Sequence, residues 1–124
     1  MAKWTIEDSR DLYNIRGWGS EYFDINSKGN VIIQPQNGSN HSIDLKELVE
    51  DIQAKGYSLP ALIRFSDILK ASIKKLANAF DNSIREYEYK GVYHGVYPIK
   101  VNQQRQVVEE IVKFGKLYNF GLEA

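Results

Sequence analysis

One amine in the chain stands where chemistry could be done. In "GVYHGVYPIKVNQQ", residues 91 to 104, an apolar run rich in Val and Tyr closes on Pro98 and Ile99, and Lys100 follows at once. Lysine is poor filling for a strand, because its charge resists burial. Two readings of Lys100 follow from its type and place. It is a solvated strand end, the usual fate of a lysine, or an amine held ready to bond to a carbonyl as a Schiff base. The second requires loss of a proton, since an ammonium has no lone pair and free lysine titrates near ~10.4. Partial burial among apolar groups can lower that by up to ~3–5 units. The C-terminal end of a parallel barrel strand is also where βα-barrel enzymes keep their reactive groups. Spacing alone does not choose between the two.

Other chemistries find less support. The chain has no cysteine, which excludes disulfides, thiolate metal sites and a cysteine nucleophile. His41 lies in a polar stretch and His94 in the apolar run, far apart and with no carboxylate at metal-ligand spacing. Both are read as ordinary surface or packing histidines, and no metal site is visible. "GWG" at residues 17 to 19 lacks the third glycine and the strand-to-helix setting of a dinucleotide loop, and no GK[ST] phosphate motif occurs. Glu109 and Glu110 are helix neighbours that point different ways, so they read as a solvated face. Tyr87, Tyr89, Tyr93 and Tyr97, interleaved with Lys90 and His94, could stack on bases. Sixteen basic and sixteen acidic residues cancel, however, so no net field favours nucleic acid or anionic lipid. Strand packing is the better account of the tyrosines.

The elements that must position Lys100 are legible in outline. At 124 residues, 43% apolar and 26% charged, the composition is that of one modest globular domain. "MAKWTIEDSRDLYN" has no apolar core of a secretory signal, and no run approaches the ~18 apolar residues of a membrane span. A soluble, cytoplasmic protein is expected. Thr5 and Asp8 suggest a cap, with "IEDSRDLY" a short helix stopped by Gly17 and Gly19. "EYFDIN" and "NVIIQP" read as a hairpin around "SKG", and residues 35 to 42 as an exposed connection. Asp44 and Glu47 make a second capping box, before a helix with Leu45, Leu48, Val49 and Ile52 inward and Gly56 at its close. "SLPALIRF" reads as a short strand.

A longer helix from about Asp67 buries Ile68, Leu69, Ile73, Leu76, Ala77, Phe80 and Ile84. Then come the strand "GVYHGVYPI", a helix with Val107, Val108, Ile111 and Val112 inward and Gly115 at its end, and a last strand in "YNFGLEA". A β-rich front followed by strand, helix, strand, helix, strand predicts parallel βα units. The final strand stops without a cap or partner, so the chain reads as the front of something longer.

"YPIKVNQ", preceded by "GVYHGV", resembles the pyridoxal-phosphate lysine segment of the bacterial biosynthetic arginine decarboxylases, which are fold-type-III enzymes. Relatives acting on ornithine or diaminopimelate share a looser aromatic-x-x-Lys-x-Asn core. "WTIEDSRDLYNIRGWGSEYFDIN" is similar to that family's N-terminal signature, "LPALIRFSDIL" to its interdomain strand, and "FGLEA" to a run that continues into a Gly-Ser segment. The similarity spans nearly the whole chain in the right order.

The resemblance implies an α/β molecule in two parts. Residues 1 to 65 are expected to contribute to a β domain, and residues 66 to 124 to begin a pyridoxal-phosphate-binding (β/α)8 barrel left incomplete in this chain. The first barrel strand is expected near residues 92 to 99, with Val96, Pro98 and Lys100 sharing its inward side and Tyr97 and Ile99 under the outer helices. Lys100 is then the catalytic residue that binds the cofactor aldehyde until the amino group of L-arginine displaces it. The cofactor ring takes up the electrons left by carbon dioxide, and reprotonation gives agmatine for polyamine biosynthesis. Glu123 matches an acidic position at the mouth of the next strand and is a second expected cofactor-binding residue, with a solvated strand-end carboxylate as the equal alternative. Magnesium is implied by the resemblance only. A homo-oligomer is expected of the full-length enzyme, and neither nucleic acid nor membrane is an expected partner. Two alternatives remain: a sister decarboxylase of another basic amino acid, and a non-catalytic interaction module. The 124-residue chain alone is expected to be inactive, its phosphate-gripping and guanidinium-binding residues lying beyond Ala124.

Overall fold

A computed structural model describes residues 3 to 35 and 41 to 124, in two compact units, Met1–Arg64 and Phe65–Ala124. Most of the connection expected at residues 35 to 42 lies outside the described residues.

The first unit starts with helix α1, Ile6–Leu12. The capping box is formed as the sequence predicts: Thr5 Oγ1 accepts from the Asp8 amide at 3.2 Å, and the Asp8 carboxylate accepts from the Thr5 amide at 2.7 Å. The helix ends sooner than expected. Asn14 takes the left-handed conformation at φ 48°, which its short polar side chain tolerates, and a second short helix α2, Ile15–Trp18, follows with Gly17 inside it. Strands β1, Phe23–Ile25, and β2, Val31–Ile33, form the expected antiparallel hairpin, with Phe23 opposite Ile33 and Ile25 opposite Val31. A two-residue strand β3, Ile43–Asp44, too short for a sequence pattern, extends the sheet beside β2. Helix α3, Leu45–Ala54, begins on Asp44, whose side chain accepts from the Lys46 and Glu47 amides at 3.0 and 3.3 Å. The second capping box is only half made, because the Glu47 carboxylate instead takes the Lys28 ammonium at 2.8 Å. Ile15, Ile25 and Ile33 form the buried centre of the unit.

The strand expected in "SLPALIRF" is not formed. Residues 61 to 65 carry no strand assignment, and Leu62 is 73% exposed, without a sheet neighbour to pair with among the described residues.

Charge fastens this unit as well as apolar burial. Arg10 forks onto Asp24 at 2.6 and 2.9 Å and also donates to the Ile25 carbonyl at 3.0 Å. Asp44 accepts from Asn26 and Asn30 at 2.7 and 2.9 Å, closing the hairpin loop over α3. The Arg10 guanidinium holds Asp24 below the usual carboxylate range, the Thr5 hydroxyl and amide do so for Asp8, and the Asn30 amide leads for Asp44. Glu7 is lowered chiefly by Arg16 and then by Arg10. A carboxyl lowered in the fold contributes stability that is present above its unfolded pKa, near ~4, and is lost as pH falls through the folded value. Hydrogen-exchange protection of the β2 amides is therefore expected to hold from about pH 7 to about 5 and to decline below about pH 4. Asp24→Asn should lower the neutral-pH protection and flatten part of that decline. Protection unchanged down to pH ~3 would contradict the assignment.

The second unit starts with helix α4, Ser66–Glu86, packed on helix α5, Arg105–Gly115. Ile73, Ala77 and Ile111 are buried, as the helical spacing predicts. Leu76 and Val112, expected inward, are almost half exposed. Phe80 is partly exposed too, but one face stacks on Tyr93 at 3.9 Å between centroids, with the rings 4° apart. Glu110 is not a solvated carboxylate: it accepts from the Ser66 hydroxyl and ties the start of α4 to α5. Strands β4, Val96–Pro98, and β5, Gly121–Glu123, lie parallel on either side of α5 in sequence, so the expected βαβ unit is present. Its strands are shorter than the apolar runs suggest, because the ladder between them is only three residues long.

Candidate active site at the ends of two parallel strands

Lys100 does not continue β4. The strand ends at Pro98, and Ile99–Val101 form a single 3₁₀ turn that carries Lys100 between the strand and α5. The alternation expected for Val96, Pro98 and Lys100 therefore breaks after Pro98, since a 3₁₀ turn advances by thirds of a turn and not by alternate faces. The turn closes with the Asn102 amide donating to the Ile99 carbonyl at 3.1 Å. The Asn102 side-chain oxygen accepts from the Gln104 amide at 3.0 Å, and Gln104 leads into α5. From β4, the Tyr97 hydroxyl reaches over the turn and donates to the Asn102 carbonyl at 3.2 Å.

The neighbouring strand delivers the second residue. Pro98 is in register with Glu123, which places the C-terminal ends of β4 and β5 side by side. Lys100 Nζ lies 3.5 Å from Glu123 Oε1, so the two site residues anticipated from the sequence do meet. Their contact is long and open to water, with the side chains 76% and 56% exposed. Such a pair orients weakly. What the described residues supply is an accessible primary amine with a carboxylate beside it.

Behind the site, Phe120 fills the space between β4 and α5. A Cβ on Gly95 would lie 2.2 Å from the Phe120 ring, and one on Gly115 would lie 2.5 Å from Phe120 Cβ. The two glycines are the hollows into which the ring fits. The Gly121 amide donates to the Gly95 carbonyl at 2.8 Å, and the Phe120 amide to the Gly115 carbonyl at 3.1 Å. Gly95→Ala is expected to cost about 1–3 kcal/mol through overpacking, read as the free energy of opening at the Ile111 amide by hydrogen exchange. A change below about 0.5 kcal/mol, the range of an ordinary surface substitution, would show that Phe120 has room to move.

The remaining candidates separate by environment. His41 and His94 are exposed, and Glu109 pairs with Arg105 at 2.7 Å along one face of α5. The tyrosines do not share one strand. Tyr87 and Tyr89 are exposed at the turn after α4, whereas Tyr93 stacks on Phe80 and Tyr97 bonds to Asn102. Among the described residues no three His, Cys, Asp or Glu side chains converge as a metal site requires. No helix of the described residues is long and apolar enough to cross a membrane. Sequence reading gives Tyr97 a packing role only, and Asn102 none beyond its place in the resemblance; the structure joins both to the turn. Their signal was present in the aromatic three residues before Lys100 and the Asn two after it.

No family model matches the chain. It is 57% identical to the biosynthetic arginine decarboxylase of Gloeobacter violaceus over 124 residues, all of this chain and 19% of that protein. It is 52% identical to the enzymes of the same name from Prochlorococcus marinus and Phocaeicola vulgatus, over 98% and 100% of this chain and 19% and 20% of theirs. In three dimensions it is similar to the crystal structure of the biosynthetic arginine decarboxylase of Campylobacter jejuni, with a TM-score of 0.77 and 36% identity, over 90% of this chain and 18% of that one. The mixed helix-and-sheet fold resembles the N-terminal region of that enzyme. Over its whole length, then, the chain is similar to the biosynthetic arginine decarboxylases, and it spans about a fifth of the length of the curated relatives it matches.

Proposed function

We propose that this chain is the N-terminal segment of a pyridoxal-phosphate-dependent arginine decarboxylase, a cytoplasmic homo-oligomer that converts L-arginine to agmatine and carbon dioxide in polyamine biosynthesis. The observation that carries this reading is the match across the entire chain to relatives that bear the name arginine decarboxylase. In this reading residues 1 to 65 contribute to a β domain, and residues 66 to 124 supply the first units of a (β/α)8 barrel. The β4–α5–β5 unit is parallel, as such a barrel requires.

The residues at the strand ends fit the cofactor by their chemistry. Lys100 is a primary amine at the C-terminal end of a parallel strand, reachable from solvent, so it is able to bond to an aldehyde. It would hold pyridoxal phosphate covalently, and Glu123 would add a carboxylate beside it from the neighbouring strand. When bound, the cofactor supplies the electron sink that decarboxylation needs. The protein's share would be to present that amine from the turn at the end of β4, with the Glu123 carboxylate 3.5 Å away on the neighbouring strand. The described residues bring together no cluster of carboxylates that would hold magnesium.

The test is decarboxylation by the full-length protein supplied with pyridoxal phosphate, following agmatine formed from L-arginine. Turnover of arginine well above that of ornithine, lysine and diaminopimelate is the expected result. Preference for one of the other basic amino acids would establish a sister decarboxylase, and turnover of none of them would overturn the enzyme reading.

A further inference from the structure

We infer that Tyr97 and Asn102 are positioning residues for Lys100, the Tyr97 phenol and the Asn102 side-chain oxygen fastening the 3₁₀ turn that carries the amine. The inference rests on the reading of Lys100 as the cofactor-bearing amine. A lone 3₁₀ turn is a weak mount, because its hydrogen bonds are poorly aligned and runs of it are short. Here the Asn102 amide closes it on the Ile99 carbonyl at 3.1 Å. The contact between Lys100 and Glu123 is too long and too exposed to fix the side chain. What remains is the pair of bonds that meet at Asn102. Tyr97 is anchored in the parallel ladder opposite Leu122 and is half-buried, and its hydroxyl spans the four residues between itself and the Asn102 carbonyl. The Asn102 side chain then joins the turn to the Gln104 amide. Gln104 gives α5 no side-chain cap, but its carbonyl accepts from the Val107 and Val108 amides at 3.0 and 3.1 Å. The backbone of Lys100 is thus held between a strand and a helix, so its exposed amine departs from a defined origin.

The experiment uses the full-length protein and three variants. Tyr97→Phe removes the hydroxyl alone, Asn102→Ala removes the side-chain acceptor, and Asn102→Asp returns an oxygen acceptor. Without cofactor, exchange of the Asn102 amide is expected to rise about fivefold in Tyr97→Phe, the effect of one ordinary hydrogen bond, with the Ile111 amide unchanged. With pyridoxal phosphate, Tyr97→Phe and Asn102→Ala should retain the cofactor about fivefold less tightly on dilution. They should also lower kcat while leaving KM for arginine as it was. Asn102→Asp should recover most of the lost retention. Unchanged exchange at Asn102 in Tyr97→Phe overturns the clamp, whatever the activity. Faster exchange with unaltered retention and kcat overturns the positioning role. Exchange behaving as expected, with a reduced cofactor adduct on another lysine, supports the clamp and overturns instead the reading of Lys100 as the cofactor amine.

Discussion

Lys100→Arg in the full-length enzyme is expected to lower agmatine production by a factor on the order of 10³ or more, the scale of losing a covalent participant. The substitution separates charge from nucleophilicity. Arginine retains a cation on a long flexible stem, so the exposed contact with Glu123 survives and the fold has little reason to change. Its guanidinium remains protonated near neutral pH and offers no free amine to an aldehyde. A large loss in a normally folded variant therefore reports the missing bond to the cofactor and not a missing ion pair. Turnover close to wild type would mean that Lys100 is not the catalytic amine.

Ile33→Ala is the substitution expected to damage the first unit most, by about 2–5 kcal/mol. Ile33 is 1% exposed and sits in the middle strand, where it faces Phe23 of β1 and Ile43 of β3 across the ladder. Truncation removes apolar contact from both sides at once and leaves a cavity that three short strands have little freedom to close. Leu62→Ala is the control, since a side chain 73% exposed should change stability by less than about 0.5 kcal/mol. Hydrogen exchange at the β2 amides reads both. A loss below about 1 kcal/mol at Ile33, well under the cavity range, would place the centre of the unit elsewhere.

Local rules in the sequence were enough for the elements that stabilise themselves locally. Thr5 with Asp8 capped α1, the turn at residues 26 to 30 closed a hairpin, and the spacing of Ile73, Ala77 and Ile111 put those side chains inward. Strand extent was less legible because it depends on a partner. The apolar run at residues 91 to 99 reads as one long strand, yet only Val96, Tyr97 and Pro98 find a neighbour in β5. The same dependence explains "SLPALIRF", apolar in sequence and unpaired in the fold. The 3₁₀ turn at Lys100 was hidden for a related reason. Alternation carried past Pro98 assigns the lysine to a strand face, whereas the backbone leaves the ladder there in a 3₁₀ turn that the Tyr97 hydroxyl and the Asn102 side chain bond across. Glu47 shows the limit of capping rules, since a lysine 19 residues away competed for its carboxylate. At the site, Lys100 stands out by its type and place, and its role, like Glu123, comes from resemblance. Their approach to 3.5 Å follows from a parallel register no single strand encodes.

The most direct test of the account is to find where the cofactor is attached. Full-length protein loaded with pyridoxal phosphate is reduced with borohydride, digested and mapped by mass spectrometry. The adduct is expected on Lys100, within the peptide that contains Pro98 and Asn102. An adduct on Lys90, Lys113 or Lys116, with Lys100 unmodified, would contradict the assignment of the catalytic amine.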